Sequence, residues 1–266
     1  MRRLSSALLL VAVILAGLGV IFMINALSGP REEGGVPVYG YRVVAAYPHD
    51  TGAFTEGLVY AGGYLYEGTG LNGRSSLRQE DLETGAILRS LDLPSQYFGE
   101  GITILNGEVY QLTWQSHTGF IYSLNFTELG NFSYATEGWG LTNNGTHLIM
   151  SDGTSNLYFL DPATLTTVSS IAVTDGGKPV TRLNELEYVR GEIWANVWQT
   201  DLVARISPVN GSVLAWVDLG GLLSPSEKLG GADVINGIAY VGAGDRIFVT
   251  GKLWPHVFQI DLVPKA

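Results

Sequence analysis

Thr55-Glu-Gly-Leu58 is the first of five short segments that decide the fold of this chain. The other four follow in chain order as Gly99-Glu-Gly-Ile102, Gly138-Trp-Gly-Leu141, Leu183-Asn-Glu-Leu186 and Ile235-Asn-Gly-Ile238. Their starts are separated by 44, 39, 45 and 52 residues, so one unit recurs throughout residues 36–266. Repeats of roughly 40–50 residues that contain four strands each are typical of β-propeller blades.

Each segment predicts a strand, and a turn and a second strand follow it, as in Glu108-Val-Tyr-Gln-Leu-Thr-Trp114. Third and fourth strands complete four of the units, but the fifth unit ends at Leu262 without a fourth strand. The unassigned run Tyr39–Tyr47 precedes the first unit and can supply that strand, which would close the ring and remove an open sheet edge. We therefore predict an all-β fold, a five-bladed β-propeller over residues 36–266.

The N-terminus has the pattern of a membrane anchor. Residues 7–24 are 18 consecutive apolar residues, preceded by Arg2 and Arg3. A spanning helix needs about 20 apolar residues, whereas a cleavable signal peptide has a shorter apolar region, and the arginines favour a cytoplasmic start. We predict a cytoplasmic N-terminus (1–6), a transmembrane signal-anchor helix (7–27) and a linker (28–35), with the propeller domain (36–266) on the extracytoplasmic side. Cleavage after Ala26 is the alternative.

The composition excludes several classes of protein. The chain is 46% hydrophobic, which is too apolar for a disordered protein, and it has no cysteine for disulfides or a thiolate nucleophile. Its 25 acidic residues outnumber its 15 basic residues, so a nucleic-acid partner is not expected. The four histidines are scattered and no metal-ligand motif is present, so we predict no metal site and no cofactor. A structural calcium bound by loop carboxylates stays open.

The repeat also locates a candidate site. Glu56, Glu100, Trp139, Asn184 and Asn236 occupy the same position of the five opening segments. At the end of the second strands the equivalent residues are Gly70, Trp114, Gly153, Trp198 and Lys252. Because first strands line the channel of a propeller, these side chains should converge near one mouth of that channel. An aromatic wall with a few polar groups is typical of a small-ligand pocket.

Ten short motifs make the sequence similar to the plant-type glutaminyl cyclase (glutaminyl-peptide cyclotransferase) family. They lie in order over most of the domain: Phe54-Thr-Glu-Gly-Leu58, Tyr66-Glu-Gly-Thr-Gly70, Phe98-Gly-Glu-Gly-Ile-Thr103, Gln111-Leu-Thr-Trp114, Glu137-Gly-Trp-Gly-Leu-Thr142, Ser151-Asp-Gly-Thr154, Leu183-Asn-Glu-Leu-Glu187, Ala195-Asn-Val-Trp-Gln-Thr200, Asn236-Gly-Ile-Ala-Tyr240 and Val249-Thr-Gly-Lys-Leu-Trp-Pro255. The resemblance implies a five-bladed propeller, in agreement with the repeat count. It also implies a metal-independent conversion of N-terminal glutamine to pyroglutamate with release of ammonia, and we expect a monomer that acts on peptides or proteins.

The resemblance further implies roles for individual residues. Glu100 takes the place of the family's acid/base carboxylate. The predicted substrate-binding set is Phe54, Glu56, Phe98, Gln111, Trp114, Trp139, Asn184, Trp198 and Lys252. Two positions depart from the family pattern, because Glu56 stands where glutamine is common and Gly68 where serine is common. A second carboxylate near Glu100 would raise the tendency of each to hold a proton.

Two other functions fit a propeller of this kind. One is a different propeller enzyme, such as a calcium-dependent lactonase, whose activity a chelator would abolish. The other is a non-catalytic surface propeller that binds peptides or glycans, which would release no ammonia from a peptide that begins with glutamine.

Overall fold

The computed structural model describes residues 35–265 of the chain. The predicted cytoplasmic N-terminus and signal-anchor helix lie outside the described residues, as does all but the last residue of the predicted linker. Within residues 35–265, no helix has the length and apolar character needed to span a membrane.

The regular secondary structure of the described region is almost entirely β-strand, as predicted. One short helix, α1 (Pro225–Leu229), interrupts the strands. In chain order the strands are β1 (Val38–Pro48), β2 (Thr55–Ala61), β3 (Tyr64–Thr69), β4 (Ser76–Glu80), β5 (Ile87–Asp92), β6 (Gly99–Leu105), β7 (Glu108–Thr113), β8 (Thr118–Ser123), β9 (Glu128–Ser133), β10 (Leu141–Asn143), β11 (Leu148–Ser151), β12 (Asn156–Leu160), β13 (Thr167–Ala172), β14 (Thr174–Asp175), β15 (Lys178–Pro179), β16 (Leu183–Val189), β17 (Glu192–Val197), β18 (Leu202–Ile206), β19 (Val213–Asp218), β20 (Ile235–Val241), β21 (Arg246–Gly251) and β22 (His256–Pro264).

Five four-stranded antiparallel units account for all but the β14–β15 hairpin. Sheet 1 is β2–β5, sheet 2 is β6–β9, sheet 3 is β10–β13, sheet 4 is β16–β19, and sheet 5 is β20–β22 with β1. The first strands contact one another in the cyclic order β2, β6, β10, β16, β20 and back to β2. The units therefore form a closed, propeller-like ring with the first strands innermost.

Strand β1 closes the ring, as predicted from the run Tyr39–Tyr47. It pairs antiparallel with β22 from Tyr39 opposite Pro264 to Pro48 opposite His256. In addition, a short parallel pairing of β1 with β19 joins sheets 4 and 5 along their outer edges. Nothing in the sequence indicates this second pairing, because Val38 and Tyr39, the residues of β1 involved, carry no distinctive pattern.

The apolar core lies between neighbouring sheets. Five clusters of buried side chains occur in the described region, one for each pair of adjacent sheets around the ring. The cluster between sheets 5 and 1, for example, combines Phe248 of β21 with Leu58 and Leu65 of the first sheet. Because burial of apolar area is the main favourable term in folding, each sheet depends on both neighbours for its stability.

The repeated glycine of the opening segments lets the first strands approach closely. A Cβ atom on Gly140 would lie 2.0 Å from the carbonyl oxygen of Asn184 in sheet 4. Glu185 stands at the equivalent position of sheet 4, where the other four sheets have glycine. Its carboxyl oxygens accept hydrogen bonds from the backbone N–H groups of Leu58 (3.3 Å) and Ile238 (2.9 Å). Glu185 thus links sheets 4, 1 and 5 inside the ring.

Candidate active site

β-Bulges direct the candidate site residues inward. The pairing between first and second strands shifts register at the opening segments of sheets 1, 2, 4 and 5. Glu56, Glu100, Asn184 and Asn236 lie within these shifts, and all four are buried. A bulge turns a side chain out of the regular alternation of a strand, which explains how polar groups point toward the axis. In sheet 3 the regular pairing begins only at Leu141, so Trp139 lies just before the strand.

A cavity of about 280 Å³ opens at this end of the ring. It lies close to the lower end of the range of about 300–1,000 Å³ that is usual for ligand pockets, so it suits a ligand about the size of one residue. Nine of the ten predicted site residues line it, together with one residue that was not predicted, Asp233. The lining residues are Phe54, Glu56, Phe98, Glu100, Trp114, Trp139, Asn184, Trp198, Asp233 and Lys252.

Glu56 forms a buried ion pair with Lys252. The Lys252 Nζ donates to Glu56 Oε1 at 2.6 Å, and both side chains are nearly inaccessible to solvent. Asn236 donates its Nδ2 to Glu56 Oε2 at 3.0 Å and to the Thr55 carbonyl oxygen at 3.0 Å. Both oxygens of Glu56 therefore accept a hydrogen bond, which favours the ionised form of this carboxyl group. Asn236 thus supports the ion pair.

Glu100 is the carboxyl group that keeps its proton. Burial raises the pKa of Glu100 well above its ordinary value of 4.5, and the negative charge of Glu56 raises it further, against an opposing effect of Lys252. Burial also raises the pKa of Glu56, to about 7, because it outweighs the opposing effects of the ion pair with Lys252 and of a hydrogen bond from Glu100. Glu100 Oε2 has no hydrogen-bond partner within the described chain. Of the two carboxyl groups, Glu100 therefore holds a proton more strongly, since the Lys252 ammonium bonds Glu56 directly.

Aromatic rings form the wall of the cavity. Phe98 makes edge contacts with Phe54 (6.2 Å between ring centroids) and Trp114 (5.7 Å), and Trp139 makes a similar contact with Trp198 (5.6 Å). The Lys252 ammonium lies 4.5 Å from the centroid of Phe54. Edge-to-face contacts are favourable for aromatic pairs and fix the relative orientation of the rings.

Two hydrogen-bond donors remain free at the cavity. Asn184 Nδ2 and Trp198 Nε1 donate to no group in residues 35–265, although both residues line the cavity. The indole N–H groups of Trp114 and Trp139, in contrast, both donate to Glu137. A ligand oxygen can therefore be held by Asn184 and Trp198, whereas the other two indoles are already bonded.

Gln111 does not reach the cavity. It lies in the middle of β7, is fully buried, and neither atom of its amide has a hydrogen-bond partner in the described region. A Cβ atom on Gly68 or Gly99 would lie 3.4 Å or 3.2 Å from its Nε2. Its side chain thus packs against the close approach of sheets 1 and 2. Gly68 leaves no room for the serine common in the family, because a Cβ there would lie 2.7 Å from Ile102.

Two residues at the cavity escaped the sequence analysis. Asp233 is an exposed residue of the lining, and Glu137 bonds two of the lining tryptophans. Both precede an opening segment by one or two residues, where the repeats differ from one another. Glu137 begins one of the ten motifs, and this was the only signal for it.

The residues of one cluster have the spacing of metal ligands. Among residues 35–265, His49, Glu67 and Glu80 place their ligand atoms within 4.8 Å of one another. None of them lines the cavity. His49 bonds Glu67 (3.0 Å) and the Trp254 carbonyl oxygen (2.7 Å), so it joins the end of β1 to sheets 1 and 5. The negative charge of Glu67 overcomes the opposing effect of burial and raises the pKa of His49 to about 9. Bound protons, such as the one on His49, therefore offset the negative charge of this cluster.

Comparison with known proteins gives consistent matches. Residues 17–262 match a protein family described as glutamine cyclotransferase. The chain is 48% identical over 227 residues to the glutaminyl-peptide cyclotransferase of Arabidopsis thaliana, which covers 83% of this chain and 70% of the plant protein. The crystal structure of Myxococcus xanthus glutaminyl cyclase is similar with a TM-score of 0.78 and 34% identity, over 87% of this chain and 100% of the bacterial one.

Proposed function

Because this chain belongs to the glutamine cyclotransferase family, we propose that it converts the N-terminal glutamine of peptides or proteins to pyroglutamate and releases ammonia. The family membership confirms the resemblance that the ten motifs indicated. The observation that carries the proposal is a buried, proton-holding Glu100 in a cavity of one-residue size, beside the ion pair of Glu56 and Lys252. A binding propeller has no need of such a carboxyl group.

The reaction requires one proton to move from the attacking amine to the leaving group. The neutral α-amine attacks the γ-carbonyl carbon of its own side chain, and the C–N bond to the amide nitrogen must then break. Protonated Glu100 gives its proton to the amide nitrogen, which leaves as ammonia, and the resulting carboxylate takes a proton from the new ring nitrogen. Glu100 ends in its starting state. General acid–base catalysis of this kind is typically worth about 10²–10⁴-fold.

The remaining groups of the cavity stabilise the charges of the reaction and orient the substrate. Asn184 and Trp198 carry the free donors for the oxyanion that forms on the γ-carbonyl oxygen. The ion pair of Glu56 with Lys252 keeps a negative charge next to Glu100, which preserves the proton that the leaving group needs. The aromatic wall restricts the flexible glutamine side chain to folded conformers, which lowers the entropic barrier to cyclisation.

The direct test is the Glu100→Gln variant, assayed for ammonia release and for pyroglutamate formation from a Gln-initiated peptide. We expect kcat/KM to fall by about 10²–10⁴-fold. Glu80→Gln is the matched control, because Glu80 is also buried with a raised pKa but lies outside the cavity. An N-acetylated peptide, whose amine cannot attack, should give no product. If Glu100→Gln folds normally and keeps the wild-type rate, Glu100 is not the acid.

We also propose finer features of the architecture and placement. The five sheets are the blades of a five-bladed propeller, supported by the cyclic contacts of their first strands. The protein is a monomer. Residues 7–27 anchor it in a membrane with the ring on the extracytoplasmic side, and the apolar run after Arg2 and Arg3 supports this anchor. Fractionation of cells, with protease treatment of intact cells, tests the anchor. Full-length protein in the soluble fraction would contradict it.

A further inference from the structure

We propose that Glu137 is a positioning residue for this reaction, which holds the indole rings of Trp114 and Trp139 in place as walls of the cavity. This inference rests on the proposed function. Glu137 itself does not line the cavity. It lies in the segment between β9, the fourth strand of sheet 2, and β10, the first strand of sheet 3.

The geometry is that of a single acceptor shared by two donors. Glu137 Oε2 accepts the indole N–H of Trp114 at 2.8 Å and that of Trp139 at 3.0 Å. Its other oxygen, Oε1, accepts the side-chain amide of Gln115 at 2.9 Å. The carboxylate is thus held at both ends. Charge-assisted hydrogen bonds of this kind are stronger than neutral ones and are directional.

Glu137 connects two aromatic groups that otherwise have no ring contact. On one side Trp114 contacts Phe98, and on the other side Trp139 contacts Trp198. No aromatic contact joins Trp114 to Trp139 in the described chain. Trp114 is 36% exposed, so packing alone leaves it freedom to rotate. The hydrogen bonds to Glu137 are what fix this ring relative to Trp139.

The Glu137 carboxyl group is ionised when it accepts these hydrogen bonds. Partial burial favours its neutral form, but the hydrogen bonds from Trp139, Gln115 and Trp114 outweigh that effect and lower the pKa of Glu137. Its negative charge also contributes to the raised pKa of Glu100. Glu137 therefore has two separable effects, an acceptor geometry for the indoles and a charge near the acid. His117 is a further neighbour that lowers the pKa of Glu137.

Two substitutions separate these effects. Glu137→Gln keeps an oxygen for both indoles, and the exposed Gln115 can turn its own amide to meet the new NH₂ group. Glu137→Leu has a similar size but no acceptor. We expect Glu137→Leu to lower kcat about 10–100-fold with a smaller change in KM, since a displacement of about 1 Å can cost 10²-fold in rate. Glu137→Gln should stay within about 3-fold of wild type, with the alkaline limb of its pH profile moved to lower pH because a charge near Glu100 is lost.

A measurement without substrate separates this proposal from the proposed function. Acrylamide quenching of tryptophan fluorescence should increase in Glu137→Leu and not in Glu137→Gln, and Trp114→Phe should remove most of the increase. In the Trp114→Phe, Trp139→Phe background, Glu137→Leu should lower kcat by little more, because the donors are already absent. Unchanged quenching and unchanged kcat in Glu137→Leu would overturn the proposal, as would equal losses in the Leu and Gln variants. A wild-type protein without cyclase activity would instead refute the proposed function, whatever the quenching shows.

Discussion

Replacing Glu80 by glutamine should make the protein more stable in alkaline solution and leave its stability near pH 5 almost unchanged. Burial is the main reason that the pKa of Glu80 rises from its ordinary value of 4.5 to about 8, and the neighbouring charge of Glu67 adds to the rise. The folded protein therefore binds this proton more tightly than the unfolded chain does. Stability that depends on the proton is present below pH 4.5 and is lost as the pH rises to about 8.

The size of the effect follows from that difference. At about 1.4 kcal/mol for each pKa unit, the interval from 4.5 to about 8 corresponds to on the order of 5 kcal/mol. Small movements of an ionised Glu80 toward solvent will reduce this, so we expect a gain of about 2–5 kcal/mol at pH 9. Glutamine is neutral at every pH and can donate its NH₂ group to Glu67 Oε2, which accepts no hydrogen bond in the described chain.

Urea unfolding at pH 5, 7 and 9 measures the difference. The free energy of unfolding of Glu80→Gln should match wild type at pH 5 and exceed it progressively at pH 7 and 9. Glu83→Gln is the control, because Glu83 is exposed on the next turn and loses the same charge. Wild type itself should also lose stability as the pH rises through about 9, where His49 gives up its proton. A constant difference between Glu80→Gln and wild type across the three pH values would refute a buried, protonated Glu80.

Two further substitutions test the packing of the ring and the charge in the cavity. Gly140→Ala should lower the free energy of unfolding by about 3 kcal/mol or more, since its Cβ would lie 2.0 Å from the Asn184 carbonyl oxygen. Gly130→Ala is the control, because nothing lies within 4 Å of its Cβ, and it should leave the free energy of urea unfolding unchanged. Glu56→Gln should move the alkaline limb of kcat/KM to lower pH, because it removes a negative charge that raises the pKa of Glu100 and leaves the Lys252 ammonium without its anion. If the alkaline limb does not move, Glu56 does not act on Glu100.

The repeat made most of the architecture predictable. Four of the five opening segments begin at the first residue of a first strand, and the run before the first unit closes the ring as expected. Equivalent positions of a cyclic repeat have the same geometry relative to the axis, so residues far apart in the chain converge. Glu100 and Lys252 were placed together for this reason, and the family resemblance assigned both to the same site. The exception, Trp139, lies before β10, where its own N–H bonds the Ser151 carbonyl oxygen (3.0 Å) and the Gly140 N–H bonds the Ser151 hydroxyl (2.7 Å).

What the repeat could not predict lies where the units differ. Gln111 shares a motif with Trp114, but it lies three residues earlier, inside a strand, and the alternation of the pleat points it at the neighbouring sheet. Asp233 and Glu137 lie outside the equivalent positions, so no alignment of the units indicates them. Their proximity to the cavity comes from loop conformations that the strand pattern does not determine.

Glu185 stands where the other four units have glycine, and the ring needs this difference to satisfy two backbone N–H groups. Glycine at this position lets neighbouring first strands approach until no side chain fits, as Gly101 does with a Cβ that would lie 2.5 Å from the Leu141 nitrogen. If all five units had glycine, the N–H groups of Leu58 and Ile238 would face the axis without an acceptor, and an unpaired buried donor costs about 1–3 kcal/mol. One long acceptor, supplied by a single unit, satisfies both. Burial raises the pKa of Glu185 well above its ordinary value, so the axis gains an acceptor with little added charge. The repeated glycine is thus replaced in one unit, at the position where a fifth glycine would leave two backbone N–H groups without an acceptor.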